Sequence, residues 1–282
     1  MSAPFRAAPS SAFLICFLGL FCALVVSPKA QAQNGEEFDS YKLRLEGFWL
    51  YSSPSGTMQG ASDTSSVDLT KDLHFNTYST FYGKLDWKFT HKNHLYVVAV
   101  PYNSSRAVVL NRTVVFQGQT FEAGLSVQAQ LSSPLYGFGY QYDIIRRRRG
   151  HIGIAAQFNA FDTHASINAA AQVTSDGVHH AAVSASGSLI APIPIVGPEF
   201  RYYLTDSPRL FVEGSVYGMY FFGYGNYVSA VGTLGFSINK HVSLNAGYGL
   251  ASRLEVHNNA SSGRIGVSLT QNGPLVGVQF SF

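Results

Sequence analysis

The chain has 282 residues, of which 12% are charged, with Lys+Arg 19 against Asp+Glu 16. Setting aside Arg6 and Lys29, which sit in the leading segment, leaves 17 basic and 16 acidic side chains; a net charge of +1 is no polyanion-binding balance and argues against nucleic acid as a partner. Glycine (27), phenylalanine (21) and tyrosine (16) are abundant instead, and no apolar run after Val26 is long enough for a membrane-crossing helix, so a mature chain that spans a membrane does so with strands.

Residues 12–26 are uniformly apolar, with Arg6 the only charge ahead of them. The run is short for a spanning helix. Residues 27–29 (Ser, Pro, Lys) break it, and Ala30, Gln31 and Ala32 offer small residues at a cleavage spacing. This predicts a secretory signal peptide over 1–32, cut after Ala32, with a retained helical anchor as the alternative. Cys16 and Cys22 both lie inside it. The mature chain then has no disulfide, no thiol chemistry and no cysteine-based metal site. Residues 33–40 read as a periplasmic lead-in, and 41–282 as one β-domain.

Alternation of period two dominates the rest, which means strands, because successive Cβ atoms point to opposite faces. Leu43, Leu45, Trp49 and Tyr51 share a face against Lys42, Arg44 and Glu46. Residues 52–59 hold Pro and Gly and read as a turn. Residues 62–75 are ambiguous between loop and strand. Phe81, Leu85, Trp87 and Phe89 then oppose Lys84, Asp86 and Lys88, and residues 91–94 read as a polar turn. Residues 95–102 form an apolar strand of weak alternation, and 104–118 a connection with a short strand at 113–116. Phe121, Ala123, Leu125, Val127, Ala129 and Leu131 oppose Glu122 and its polar neighbours, as one clean two-faced strand. Tyr136, Phe138, Tyr140, Tyr142 and Ile144 oppose Gln141 and Asp143, before a basic turn at Arg146 to Arg149.

Ile152, Ile154, Ala156 and Phe158 continue the apolar face on even numbers, but past Asp162 it moves to Ala165, Ile167 and Ala169. Such a phase flip predicts a tight turn or a β-bulge. Residues 191–195 carry two prolines and read as unsuited to a ladder interior. Phe200, Tyr202 and Leu204 oppose Glu199, Arg201 and Tyr203. Leu210, Val212, Val216 and Tyr220 oppose Glu213 and Tyr217. Val242, Leu244, Ala246 and Tyr248 lead to Leu254 and Val256, against Arg253 and Glu255. A second flip at residues 271–274 precedes the last strand, where a bulge within one long strand is preferred to a hairpin turn.

That last strand alternates Pro274, Val276, Val278, Phe280 and Phe282 against Gly277, Gln279 and Ser281. It resembles the terminal strand of bacterial outer-membrane β-barrels, and the chain as a whole resembles the small OmpA/OmpW-like and porin-like barrels. The resemblance implies an all-β, closed antiparallel transmembrane β-barrel in the outer membrane, with Val278, Phe280 and Phe282 as the signal read by the barrel-assembly machinery. About 12 strands are expected, in a range of 10–14, with aromatic girdles outside. A soluble β-sandwich is the rival, since alternation does not say which face is inside.

With apolar faces on lipid, the inward face collects Lys42, Arg44, Glu46, Lys84, Asp86, Lys88, Glu122, Asp143, Glu199, Arg201, Glu213, Arg253 and Glu255. These are the candidate pore-lining residues of a passive pore for small polar solutes. The alternative is a structural or surface-interacting barrel whose lumen charges pair and close it. A lipid-modifying enzyme is a third reading, carried only by His164 with Ser166 and by His257 with Ser261 or Ser262; no third orienting group accompanies them, so no enzyme activity is expected. The adjacent His179 and His180 point apart and make a poor metal pair. No cofactor or metal is implied. Outer-membrane lipid is the expected partner. Lipopolysaccharide phosphates join it if Arg146 to Arg149 are extracellular; otherwise those arginines form a solvated turn.

Overall fold

A computed structural model describes residues 37–60, 63, 65–170, 172–173, 179–206, 209–221, 225–256 and 265–282. The region read as a signal peptide lies outside them. In chain order the strands are β1 (Leu43–Gly60), β2 (Val67–Asp68), β3 (Tyr78–Lys88), β4 (Asn93–Val100), β5 (Asn103–Val109), β6 (Val114–Phe116), β7 (Gln119–Phe121), β8 (Ser126–Ser132) and β9 (Leu135–Arg147). They continue with β10 (Gly150–Ala169), β11 (Gln172–Val173), β12 (His179–His180), β13 (Val183–Tyr203), β14 (Arg209–Phe221), β15 (Gly225–Ser237), β16 (Val242–Val256) and β17 (Ile265–Ser281).

Ten of these close an antiparallel ring, in the order β13, β14, β15, β16, β17, β1, β3, β4, β9, β10 and back to β13. Closure removes the open sheet edges that lipid would not tolerate. Strand β8 pairs with the upper part of β10, and β5 with β8, so two further strands rise beside the ring. The expected count of about twelve therefore holds, with ten in the ring itself.

The two ends differ. Short turns at 89–92, 148–149 and 238–241 gather at one end with both ends of the described chain, where the Lys42 and Leu43 amides donate to the Phe282 carbonyl at 2.6 and 3.0 Å. The long connections, including 101–134 with its four strands, gather at the other. Bacterial barrels keep short turns periplasmic and long loops extracellular. Arg146 to Arg149 lie at the end with the short turns.

Neither phase flip is a turn or a bulge in the strand that carries it. Odd-numbered residues of β10 face inward from end to end, and its register with β13 runs unshifted from Gly150↔Tyr202 to Ala169↔Val183. What changes is the surroundings. Low on β10, Ile154 and Phe158 point outward and His151 and Asn159 inward. High on β10, Asp162 and His164 point outward and Ala165 and Ile167 are buried inside. The strand leaves an apolar exterior and enters a polar one, while its inner face leaves a polar lumen and enters a packed core. Strand β17 does the same, paired to β1 without a shift; the irregularity next to it belongs to β16, between Gly249 and Ser252.

The outward apolar belt runs around the lower ring, where Trp87 is 54% and Leu244 50% exposed. Along β10 it covers residues 152–160, the length a tilted spanning strand needs. The sandwich alternative is thereby replaced by the barrel. The inversion makes a testable contrast. Phe158→Arg should cost about 2–4 kcal/mol, as for a charge on the lipid face. Ser166→Arg, same strand and same outward parity, should stay within about 0.5 kcal/mol. Urea unfolding from lipid vesicles would measure both, and equal costs would rule out the inversion.

Above the belt the interior is an apolar core, the head, built from Met58, Leu73, Phe75, Phe116, Phe121, Leu131, Ile167 and Ile265 among others. Here the reading of one membrane strand over 121–131 is corrected. Phe121 ends β7, residues 122–125 turn, and β8 follows, with Phe121 wholly buried rather than facing lipid. Residues 52–59, read as a turn, belong to β1, and residues 191–195 belong to β13. The prolines in these two stretches have one cause. Strand β1 pairs with β3 only as far as Ser52↔Tyr78, and β13 with β14 only from Val196↔Gly218 downward. Pro54, Pro192 and Pro194 thus sit where one side of the strand has no long ladder to complete, so the missing N–H costs little.

Candidate functional site

Period-two alternation stacks three layers on the inner face of each long strand. On β1 these are Arg44 and Glu46, then Phe48 and Leu50, then Met58. On β17 they are Gln279, then Leu275 and Gly273, then Leu269 and Val267.

The lowest layer is a floor of buried ion pairs. Arg201 of β13, 1% exposed, donates to Glu213 Oε2 at 2.5 Å and Gln279 Oε1 at 2.7 Å, and lies 3.4 Å from Asp39. Arg44 also pairs with Asp39. His94 bridges Asp86 and Asp143 at 3.2 Å each, Tyr41 donates to Asp86 at 2.9 Å, and Arg146 holds Asp143 at 2.6 Å and Glu37 at 2.9 Å. Lys88 Nζ donates to the Asp39 carbonyl at 3.0 Å, and Lys84 reaches Glu199 at 3.4 Å. Buried charges persist only when each has partners. The lead-in is therefore more than a leader: Glu37 to Tyr41 turn into the barrel mouth, and Asp39 and Tyr41 are buried there.

Of the expected lumen residues, Arg44, Glu46, Lys84, Asp86, Lys88, Asp143, Glu199, Arg201 and Glu213 do come together inside. Lys42 is exposed just before β1, and Glu122 is exposed in the head's turn between β7 and β8; neither faces the lumen. The side chains of Arg253 and Glu255 lie outside the described residues. Val278, Phe280 and Phe282 sit on the outward side of the last strand's end. Asp39, His94, Arg146 and His151 joined the floor unforeseen. His94 was legible in principle, being in step with Tyr96 and Val98, both buried on the same face of β4.

The middle layer is a cavity of about 210 Å³, walled by aromatic and aliphatic side chains such as Phe48, Tyr82, Tyr96, Phe161 and Ile195. Residues 95–102 alternate weakly because both faces of β4 are apolar, one toward lipid and one toward this cavity. In the head, Arg112 grips Asp72 through Nε at 2.7 Å and Nη2 at 2.5 Å. Burial pushes the Asp72 carboxyl up, but these bonds and the Asp68 amide hold it below its usual range.

His164 lies on the outer face of β10 above the belt, its Nε2 2.9 Å from Asp162 Oδ1. His257, Ser261 and Ser262 lie outside the described residues, as do the side chains of His179 and His180.

No protein-family profile and no curated protein sequence matches the chain. Among solved structures it is similar to the outer membrane protease OmpT of Escherichia coli, at 11% identity and a TM-score of 0.53, over 90% of this chain and all of that one. The fold is that of a bacterial outer-membrane β-barrel. Weaker likenesses to such barrels include the attachment invasion locus protein Ail of Yersinia pestis (9% identity, TM-score 0.35, 86% of this chain and 100% of that one) and the toluene transporter TodX of P. putida (7%, 0.37, 87% and 91%).

Proposed function

We propose that this outer-membrane barrel is closed at its periplasmic end and serves to hold an extracellular head at the cell surface, a structural or surface-interacting role rather than a passive pore for small polar solutes. The observation that carries this is the floor around Arg201, where lumen charges meet each other instead of water. An open channel lined by both signs would leave them hydrated. Export through the segment 1–32, anchoring in outer-membrane lipid and recognition of Val278, Phe280 and Phe282 by the assembly machinery complete the reading. The His164–Asp162 pair is taken as a surface ion pair, not an active site.

Planar-bilayer recording tests it: the purified protein should give no discrete conductance steps, and reproducible steps would restore the pore. Hydrolysis of peptide or lipid by the same preparation, lost on His164→Ala, would overturn the non-enzymatic part.

A further inference from the structure

The cavity goes beyond this role. Its wall is apolar and aromatic, floored by ion pairs and roofed by the head's core. Small-molecule sites have this character: concave, mostly apolar, with a few polar groups that orient the occupant. The polar atoms of the wall that have no hydrogen-bond partner include Nδ2 of Asn159, a residue 1% exposed on β10, and Oγ1 of Thr233 on β15. Asn159 Oδ1 already accepts from Gln157, so the amide presents its donor side. Buried polar groups are nearly always satisfied, so an unpaired donor facing a cavity points to something that fills it.

Above Val196↔Gly218 strand β13 has no described pairing with β14 and is held by β10 alone, and Ile195 lines the cavity from that stretch. Outward from it stand Pro192, Pro194 and Val196, exposed at the upper rim of the apolar belt.

We propose that the cavity is a binding site for a small neutral molecule, mainly hydrocarbon, carrying an acceptor oxygen for Asn159. A cavity of about 150 Å³ accepts benzene, so this one, at about 210 Å³, takes about eight or nine heavy atoms. Acetophenone has the right size and an acceptor; ethylbenzene lacks the acceptor; glucose is polar throughout.

Saturation-transfer NMR on the full chain in nanodiscs of deuterated lipid, with empty discs subtracted, reads binding of each probe. Acetophenone should saturate more strongly than ethylbenzene, and glucose not at all. Ser229→Phe, which places a ring in the cavity from β15, should abolish the acetophenone signal. Asn159→Leu, close in volume, should weaken acetophenone about five-fold, the loss of one hydrogen bond, and leave ethylbenzene unchanged. Gel mobility before and after heating checks that each variant folds; if Ser229→Phe does not, Asn159→Leu decides alone. Acetophenone bound equally by wild type and Asn159→Leu overturns the assignment, as does glucose saturated as strongly as acetophenone. Conductance plays no part in this readout, so failure here is separate from failure of the closed-barrel reading.

Discussion

Arg201→Ala should destabilise the barrel by about 3–5 kcal/mol, the cost of removing one partner from a buried ionic cluster. The guanidinium is shared among Glu213, Gln279 and Asp39, with Glu46 at 3.8 Å. Its loss leaves three carboxylates facing one another with Arg44 as the nearest remaining guanidinium on Asp39. Arg201→Lys should recover only part of the stability, because one ammonium cannot reach partners on opposite sides as a planar fork does. Urea unfolding in vesicles checks both variants. A loss below about 1 kcal/mol would mean that the floor is not held by this network.

Phe116→Ala should cost about 3–5 kcal/mol, but locally, in the head. Phe116 and Phe121 are both wholly buried in a core that lies above the belt and draws on β5 to β8 as well as the upper ring. Elements that rise beyond the ring open as their own cooperative unit when their packing is lost. Limited proteolysis should therefore cut the variant between Leu110 and Leu125, while the membrane-embedded ring keeps its heat-dependent gel mobility. Loss of that mobility together with the cleavage would show that head and ring fold as one.

Much of this was visible in the chain. The outward face is legible wherever lipid imposes it, as in Leu43 to Tyr51, Phe81 to Phe89, Tyr136 to Ile144 and the last strand. Nine of the inward charges follow from the same alternation. Glu122 went astray because a short strand in a soluble core alternates just as a spanning strand does. Residues 52–59 and 191–195 went astray because proline was weighed against a fully paired ladder, and Pro54, Pro192 and Pro194 are paired on one side only.

Alternation by itself determined that this protein is built of strands with two unlike faces, since side-chain direction repeats every two residues whatever the strand packs against. Only the tertiary structure decided what each face meets. Lipid, wet lumen and dry core are properties of height along the barrel, and a strand crosses all three without changing its own geometry. That is why the flips at Asp162 and Gln271 looked like breaks in the chain and are changes of surroundings instead.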